Sequence, residues 1–206
     1  MSIPYEATGR TRQKARTRNA LVAAARELVS TGASPTVEAA ADLAEIARST
    51  AYRYFPNQRS LLAAAAPVVE AESLLGPDPP GDVEPRLEIV VRELGEQILA
   101  NEAALRTMLR FSLEPKPPKP EQLVLRRGRA IGWIEEALAP LRGGLGDHEL
   151  RRLALAIRAA VGIEPLVWLT DIGGLSRGEA VELMRESAGA LLRSALADLA
   201  GDEPGA

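Results

Sequence analysis

A chain of 206 residues with 46% hydrophobic side chains and no cysteine can bury a sizeable core, but it has no disulfide framework and no thiolate metal site. Aromatic residues make up only 3%, so Leu, Ala, Val and Ile must fill that core, which favours helices packed on helices over strands. The N-terminus is polar and basic without an apolar h-region, and no apolar run is read as approaching the length of a membrane span, so a cytoplasmic protein is expected.

The formal net charge of -3 conceals an asymmetry along the chain. Met1 to Leu62 carries nine Lys or Arg against five Asp or Glu, or +4, while the remainder carries 16 against 23, or -7. Only the front is suited to a polyanion. Within it, Gly9 to Arg18 (GRTRQKARTR) holds five cations and no acid. Such a run is either a solvated arm or one that follows a nucleic-acid backbone or enters a minor groove, with Arg10 and Arg12 as the candidate contacts.

A first helix is expected to begin between Thr11 and Ala15 and to run to Thr31, with Leu21, Ala24, Ala25, Leu28 and Val29 as its apolar stripe and Gly32 as its stop. A short helix follows, with Val37, Ala40, Ala41, Leu43 and Ala44 at helical spacing and Thr36 as its N-cap. After a turn at Ala44-Glu45-Ile46, the stretch Ala47 to Phe55 (ARSTAYRYF) places Ala51 and Phe55 on one face. Its other faces carry Arg48, Ser49, Thr50, Tyr52, Arg53 and Tyr54, with two cations and no acid. So much hydrogen-bonding capacity is costly to bury and suits phosphates and base edges. Alone, the nonapeptide reads equally as a solvated amphipathic helix; as the second member of a tightly turned pair it has the geometry that enters a major groove.

Over Thr17 to Leu62 the sequence resembles the TetR family of one-component transcriptional regulators. The residues that carry the resemblance are TRNALVAAARELVSTG from Thr17 to Gly32, Thr36-Val37, the Ala41 to Ala44 step, TAYRYFPN from Thr50 to Asn57, and Leu61-Leu62. The resemblance implies an N-terminal helix-turn-helix domain on a helical, dimeric, ligand-binding domain. It makes Arg48 and Thr50 candidates for base contact and Tyr54 for a phosphate. Three departures stand in the motif: Glu45 where the family usually has Gly, Ala47 where it often has Ser, and Gln58 where it often has a phosphate-binding Lys, a role that passes to Arg59.

Beyond the motif, Asn57 is read as the cap of a helix carrying Leu61, Leu62, Ala65, Val68, Val69 and Leu74, bent at Pro67. Gly76 to Pro85 (GPDPPGDVEP) punctuates the chain. Helices are then expected over Pro85–Ala100, Ala103–Leu113 and Glu121–Leu141. Between the last two, four prolines within residues 114–120 mark an extended loop. Two long final helices, Asp147–Ile172 and Arg177–Ala200, are by resemblance the pair that forms a four-helix dimer interface. Burial of their second face against a symmetric copy is the simplest physical solution, and two-fold symmetry would dictate a palindromic operator.

Glu164, Trp168 and Asp171 fall at i, i+4 and i+7 of an otherwise apolar stretch, so one face combines two acids and an indole. They are read either as a pocket wall, with Arg110 and Trp133 as further candidate ligand contacts, or as a structural ion-pair or interface cluster, with Arg106, Arg110 or Arg158 as partner. Pro165 is expected to kink the helix and orphan a carbonyl one turn earlier. Enzyme chemistry is not expected: Gly174 to Gly178 matches G-x-S-x-G, but a nucleophile elbow needs a preceding strand and a later histidine, and the only one, His148, lies upstream. Ser176 and Glu179 form a capping box instead. A lone histidine has no partner for metal ligation, and no cofactor is expected.

The sequence therefore predicts an all-α protein of about nine helices, divided into residues 1–62, which carry the three-helix DNA-binding part and the basic arm, and residues 63–206, which regulate and dimerise. The expected function is a ligand-responsive repressor acting on double-stranded DNA as a homodimer. The alternative is a helical protein-interaction or adaptor module with a vestigial DNA-binding domain.

Overall fold

The computed structural model describes residues 5–33, 35–66, 71–113 and 129–201, the first six of them as backbone. In chain order the helices are α1 (Tyr5–Ser30), α2 (Val37–Leu43), α3 (Arg48–Tyr54), α4 (Gln58–Ala65), α5 (Val83–Ala100), α6 (Glu102–Ser112), α7 (Arg129–Ala137), α8 (Asp147–Ala160), α9 (Ile163–Val167) and α10 (Arg177–Gly201). Among the described residues the regular structure is all helical, as a core built from Leu and Ala requires. With α8 and α9 taken as one broken helix, nine α-helices are present there. Two compact units result, Met1–Val68 with Ala103–Leu125 and Val69–Glu102 with Arg126–Ala206.

In the first unit, α1 lies against α2, α3 and α4. Leu21, Ala25, Ala40, Ala41, Ala51 and Leu61 are fully buried there. Four of the six are alanines, which let the short helices approach closely. α1 stops as expected at Gly32, whose φ of 79° allows the amide of Gly32 to bond the Val29 carbonyl and that of Ala33 to bond the Leu28 carbonyl. The start of α1 differs from expectation. The helix already begins at Tyr5 and so contains the whole cationic run, because Arg, Gln, Lys and Ala are good helix formers and the run holds no proline. The side chain of Arg10 lies outside the described residues, and Arg12, Lys14, Arg16 and Arg18 stand on the helix.

The bent helix expected across Pro67 does not form as a continuation of α4. Proline disfavours the helical region for the residue before it, and Ala66 adopts φ -49° and ψ 139°, so α4 ends at Ala65. Arg26 of α1 donates to the Ala65 carbonyl at 3.2 Å, satisfying one of the helix's last acceptors. Pro67, Val68 and Val69 lie outside the described residues, as do the proline-rich stretch and Leu123. The sequence division at residue 62 assigns α6 to the regulatory part, whereas its Phe111 packs with Val29 and Leu62 of the first unit.

In the second unit α5, α7, α8 and α10 close a ring in which each packs on two neighbours. Val90, Ile134, Ala154, Ile157, Met184 and Leu192 are among the residues buried in this unit. The irregular segment before α5 is pinned to α7: the Trp133 indole donates to the Glu72 carbonyl at 3.1 Å, and Ser73 donates to Glu136 at 2.9 Å. Arg86 donates to the Glu136 and Ala137 carbonyls, closing the C-terminus of α7.

The segment expected as one helix from Asp147 to Ile172 is divided at Val161 and Gly162, and ends in a π-helical turn over Trp168–Ile172. By length and composition it is apolar enough to cross a membrane, with a mean hydropathy of 1.6 in its most apolar window, contrary to the expectation that no run approached a span. One third of that window is buried. Arg158 and Glu164 face each other across its break at 3.4 Å.

Candidate nucleic-acid interface

α2 and α3 owe their relative angle to the turn between them. Thr36 caps α2 by accepting the Ala39 amide at 3.1 Å. At the other end, the Glu45 amide bonds the Asp42 carbonyl and the Ile46 amide bonds the Ala41 carbonyl, the closure that also ends α1. Here the left-handed position, with φ 54°, is occupied by Glu45 rather than glycine. Ala47 then starts α3 without a side-chain cap. Both departures from the motif are thus accommodated without loss of the turn.

α3 is anchored by Ala51 and Phe55, which are 0% and 3% exposed. Arg48, Ser49, Tyr52 and Arg53 stand on the exposed side, Thr50 is half-buried, and Tyr54 is half-buried against the core. Arg18 of α1 lies over the Phe55 ring at 5.5 Å. Asn57 caps α4 by accepting the Ser60 amide at 2.8 Å. Gln58 donates to the Pro35 carbonyl at 2.9 Å, and Arg59, the expected phosphate contact, is half-buried and donates to the Phe111 carbonyl at 2.9 Å.

Two of the exposed side chains of α3, Arg48 and Tyr52, are partnered by two acids one turn apart on α2. Asp42 receives Nε of Arg48 at 3.2 Å and Nη2 at 2.7 Å. Glu38 receives the hydroxyl of Tyr52. The Arg48 bonds hold the Asp42 carboxyl below its ordinary value, and the same contact raises Arg48. Glu38 is lowered first by the Tyr52 hydrogen bond, then by its own amide and by Thr36, while Tyr52 is raised by Glu38. Sequence reasoning noticed that α3 lacks acids but missed those of α2. The signal was present in their i, i+4 spacing, which puts both on one face.

The candidate ligand contacts fall in both units. Arg110 is in the first unit, over Phe111 at 5.3 Å, while the other four are in the second. Trp133 is buried with its N–H engaged at Glu72, Trp168 is 58% exposed, and Asp171 is exposed and accepts a bond from Thr170. Of the three arginines considered for Glu164, Arg158 is a partner, and it also donates to the Val161 carbonyl at 3.0 Å. Pro165 orphans no helical carbonyl as expected, because the helix has already ended at Val161 and Pro165 falls in the first turn of α9, where amides have no intrahelical acceptor. Ser176 and Glu179 bond each other's amides reciprocally, forming the expected capping box. His148 contacts Glu149 at the start of α8, and no metal-binding cluster occurs among the described residues. Comparison with known proteins finds no family model and no curated protein that matches the chain.

Proposed function

We propose that this chain is a sequence-specific DNA-binding transcriptional regulator of the TetR type: a cytoplasmic homodimer that occupies a palindromic operator and releases it when a small effector binds. The observation that carries the reading is α3. One face is locked into the core by Ala51 and Phe55, and the opposite face offers Arg48, Ser49, Tyr52 and Arg53 on a helix held by a tight turn. The cationic α1 beside it supports a polyanionic partner. Exposed Leu155, Trp168, Ile172 and Leu183 in the last helical segments support burial against a second copy.

Selection of bound fragments from random duplex DNA tests this reading. A palindromic consensus with salt-dependent affinity is expected. Arg48→Ala should cost about 1 to 3 kcal/mol on the consensus and little on random duplex, whereas Arg12→Ala should weaken both alike and flatten the salt slope. Equal loss on both for Arg48→Ala would refute the base-contact role. One observation favours a helical protein-interaction module instead: Glu38, Asp42 and Glu45 crowd α2 and its turn, and three acids repel phosphate. Failure to retain any duplex selectively at low salt would decide for that module.

A further inference from the structure

Resting on the DNA-binding reading, the geometry points to Asp42 as a positioning residue that braces Arg48 as a guanine reader. A guanidinium has five N–H donors in a rigid plane. Asp42 spans the edge formed by Nε and one Nη2 hydrogen, at 3.2 and 2.7 Å. The edge formed by Nη1 and the second Nη2 hydrogen remains, on a side chain 63% exposed. This second edge is itself a two-pronged fork, and guanine is the base that presents two acceptors, N7 and O6, to such a fork in the major groove.

The pair is otherwise hard to justify on a surface meant for DNA. An exposed ion pair contributes little to folding, and a carboxylate near phosphates opposes binding. Its gain lies in the long Arg48 chain, which would lose much rotamer freedom on contact; bidentate bracing takes that loss before the duplex arrives. The brace also withholds Arg48 from stray phosphates, which must compete with an aligned carboxylate, so selectivity rises at some cost in overall affinity. Glu38 carries equal charge on the same helix but engages Tyr52, which makes it the internal control for simple loss of a negative charge.

The full chain, its consensus duplex selected as above, and the same duplex with one guanine replaced by 7-deazaguanine or adenine provide the test. Native protein should lose affinity about 10- to 100-fold on replacement of one guanine in each half-site. In Arg48→Ala, Asp42→Ala and Asp42→Asn that penalty should shrink to about threefold or less, while affinity for random duplex rises in the two Asp42 variants. Asp42→Glu should restore part of the penalty, Glu38→Gln should leave it intact, and Arg48→Ala with Asp42→Ala should behave as Arg48→Ala alone. Melting curves establish that each variant is folded. A consensus whose guanine penalty depends on Arg48 but survives Asp42→Ala overturns the bracing role, and a consensus lacking any Arg48-dependent guanine overturns the guanine assignment, both leaving the DNA-binding reading in place. Absence of any selected consensus removes that reading and this inference together.

Discussion

Glu45 carries the most informative backbone angle in the motif. At φ 54° a side chain with a Cβ is strained by roughly 1 kcal/mol, and the closing bonds to Asp42 and Ala41 hold it there. Glu45→Gly should therefore raise stability by about 0.5 to 1 kcal/mol, and Ala47→Ser, by supplying the missing cap, by a similar amount. Urea midpoints measure both; a loss for Glu45→Gly would show that the side chain earns its strain through a contact. The acids of α2 give a pH dependence whose sign follows from their lowered values. Asp42 and Glu38 contribute fully above their ordinary 3.8 and 4.5, and the contribution is lost as pH falls through the lowered values of the fold. Tyr52 behaves oppositely, contributing below its ordinary 10.0 and losing that contribution as pH rises through its raised value. The Arg48 Nε–H resonance should thus keep its bonded position through mild acid and collapse only once Asp42 protonates; collapse near neutral pH would contradict the pairing.

At the scale of the element, prolines decided what periodicity misjudged. Apolar spacing continued from Leu61 to Leu74, yet Ala66, preceding Pro67, is extended and α4 stops. Pro165 acts differently: it sits in the first turn of α9, where its missing amide costs nothing, and the Val161 carbonyl at the break before it is bonded by Arg158. A Cβ at Gly162 would lie 2.2 Å from the Arg158 Nη1, so a larger residue there would displace the guanidinium. Arg158→Ala should cost about 1 to 3 kcal/mol, since it strips partners from a buried-side carbonyl and from Glu164 together. Chemical denaturation followed by circular dichroism would show it, and a neutral result would mean that water replaces the guanidinium.

For the whole molecule, the charge asymmetry and the exposed apolar side chains suggest different work for the two units. The first carries the cationic α1 and the braced α3; the second leaves Leu155 and Leu183 44% and 40% exposed. If a second copy covers them, Leu155→Glu combined with Leu183→Glu should convert a dimer to monomers with unchanged helicity, read by sedimentation. A native chain that sediments as a monomer at micromolar concentration would end the dimer reading and with it the palindrome.

Local chemistry was enough to determine the helical class, the stop at Gly32, the caps at Thr36, Asn57 and Ser176, and the burial of Ala51 and Phe55 on α3, because each depends on residues within one or two turns of one another, whereas Thr50 and Tyr54, expected on the open faces, are half-buried. What joins distant turns was decided only in three dimensions. The partnership of α2 acids with α3 donors and the capture of Arg59 by the Phe111 carbonyl depend on where whole helices come to rest. Helical periodicity says which side of a cylinder is apolar; it does not say which polar atom on the next cylinder will meet it, and on α3 that meeting decides which donors stay open.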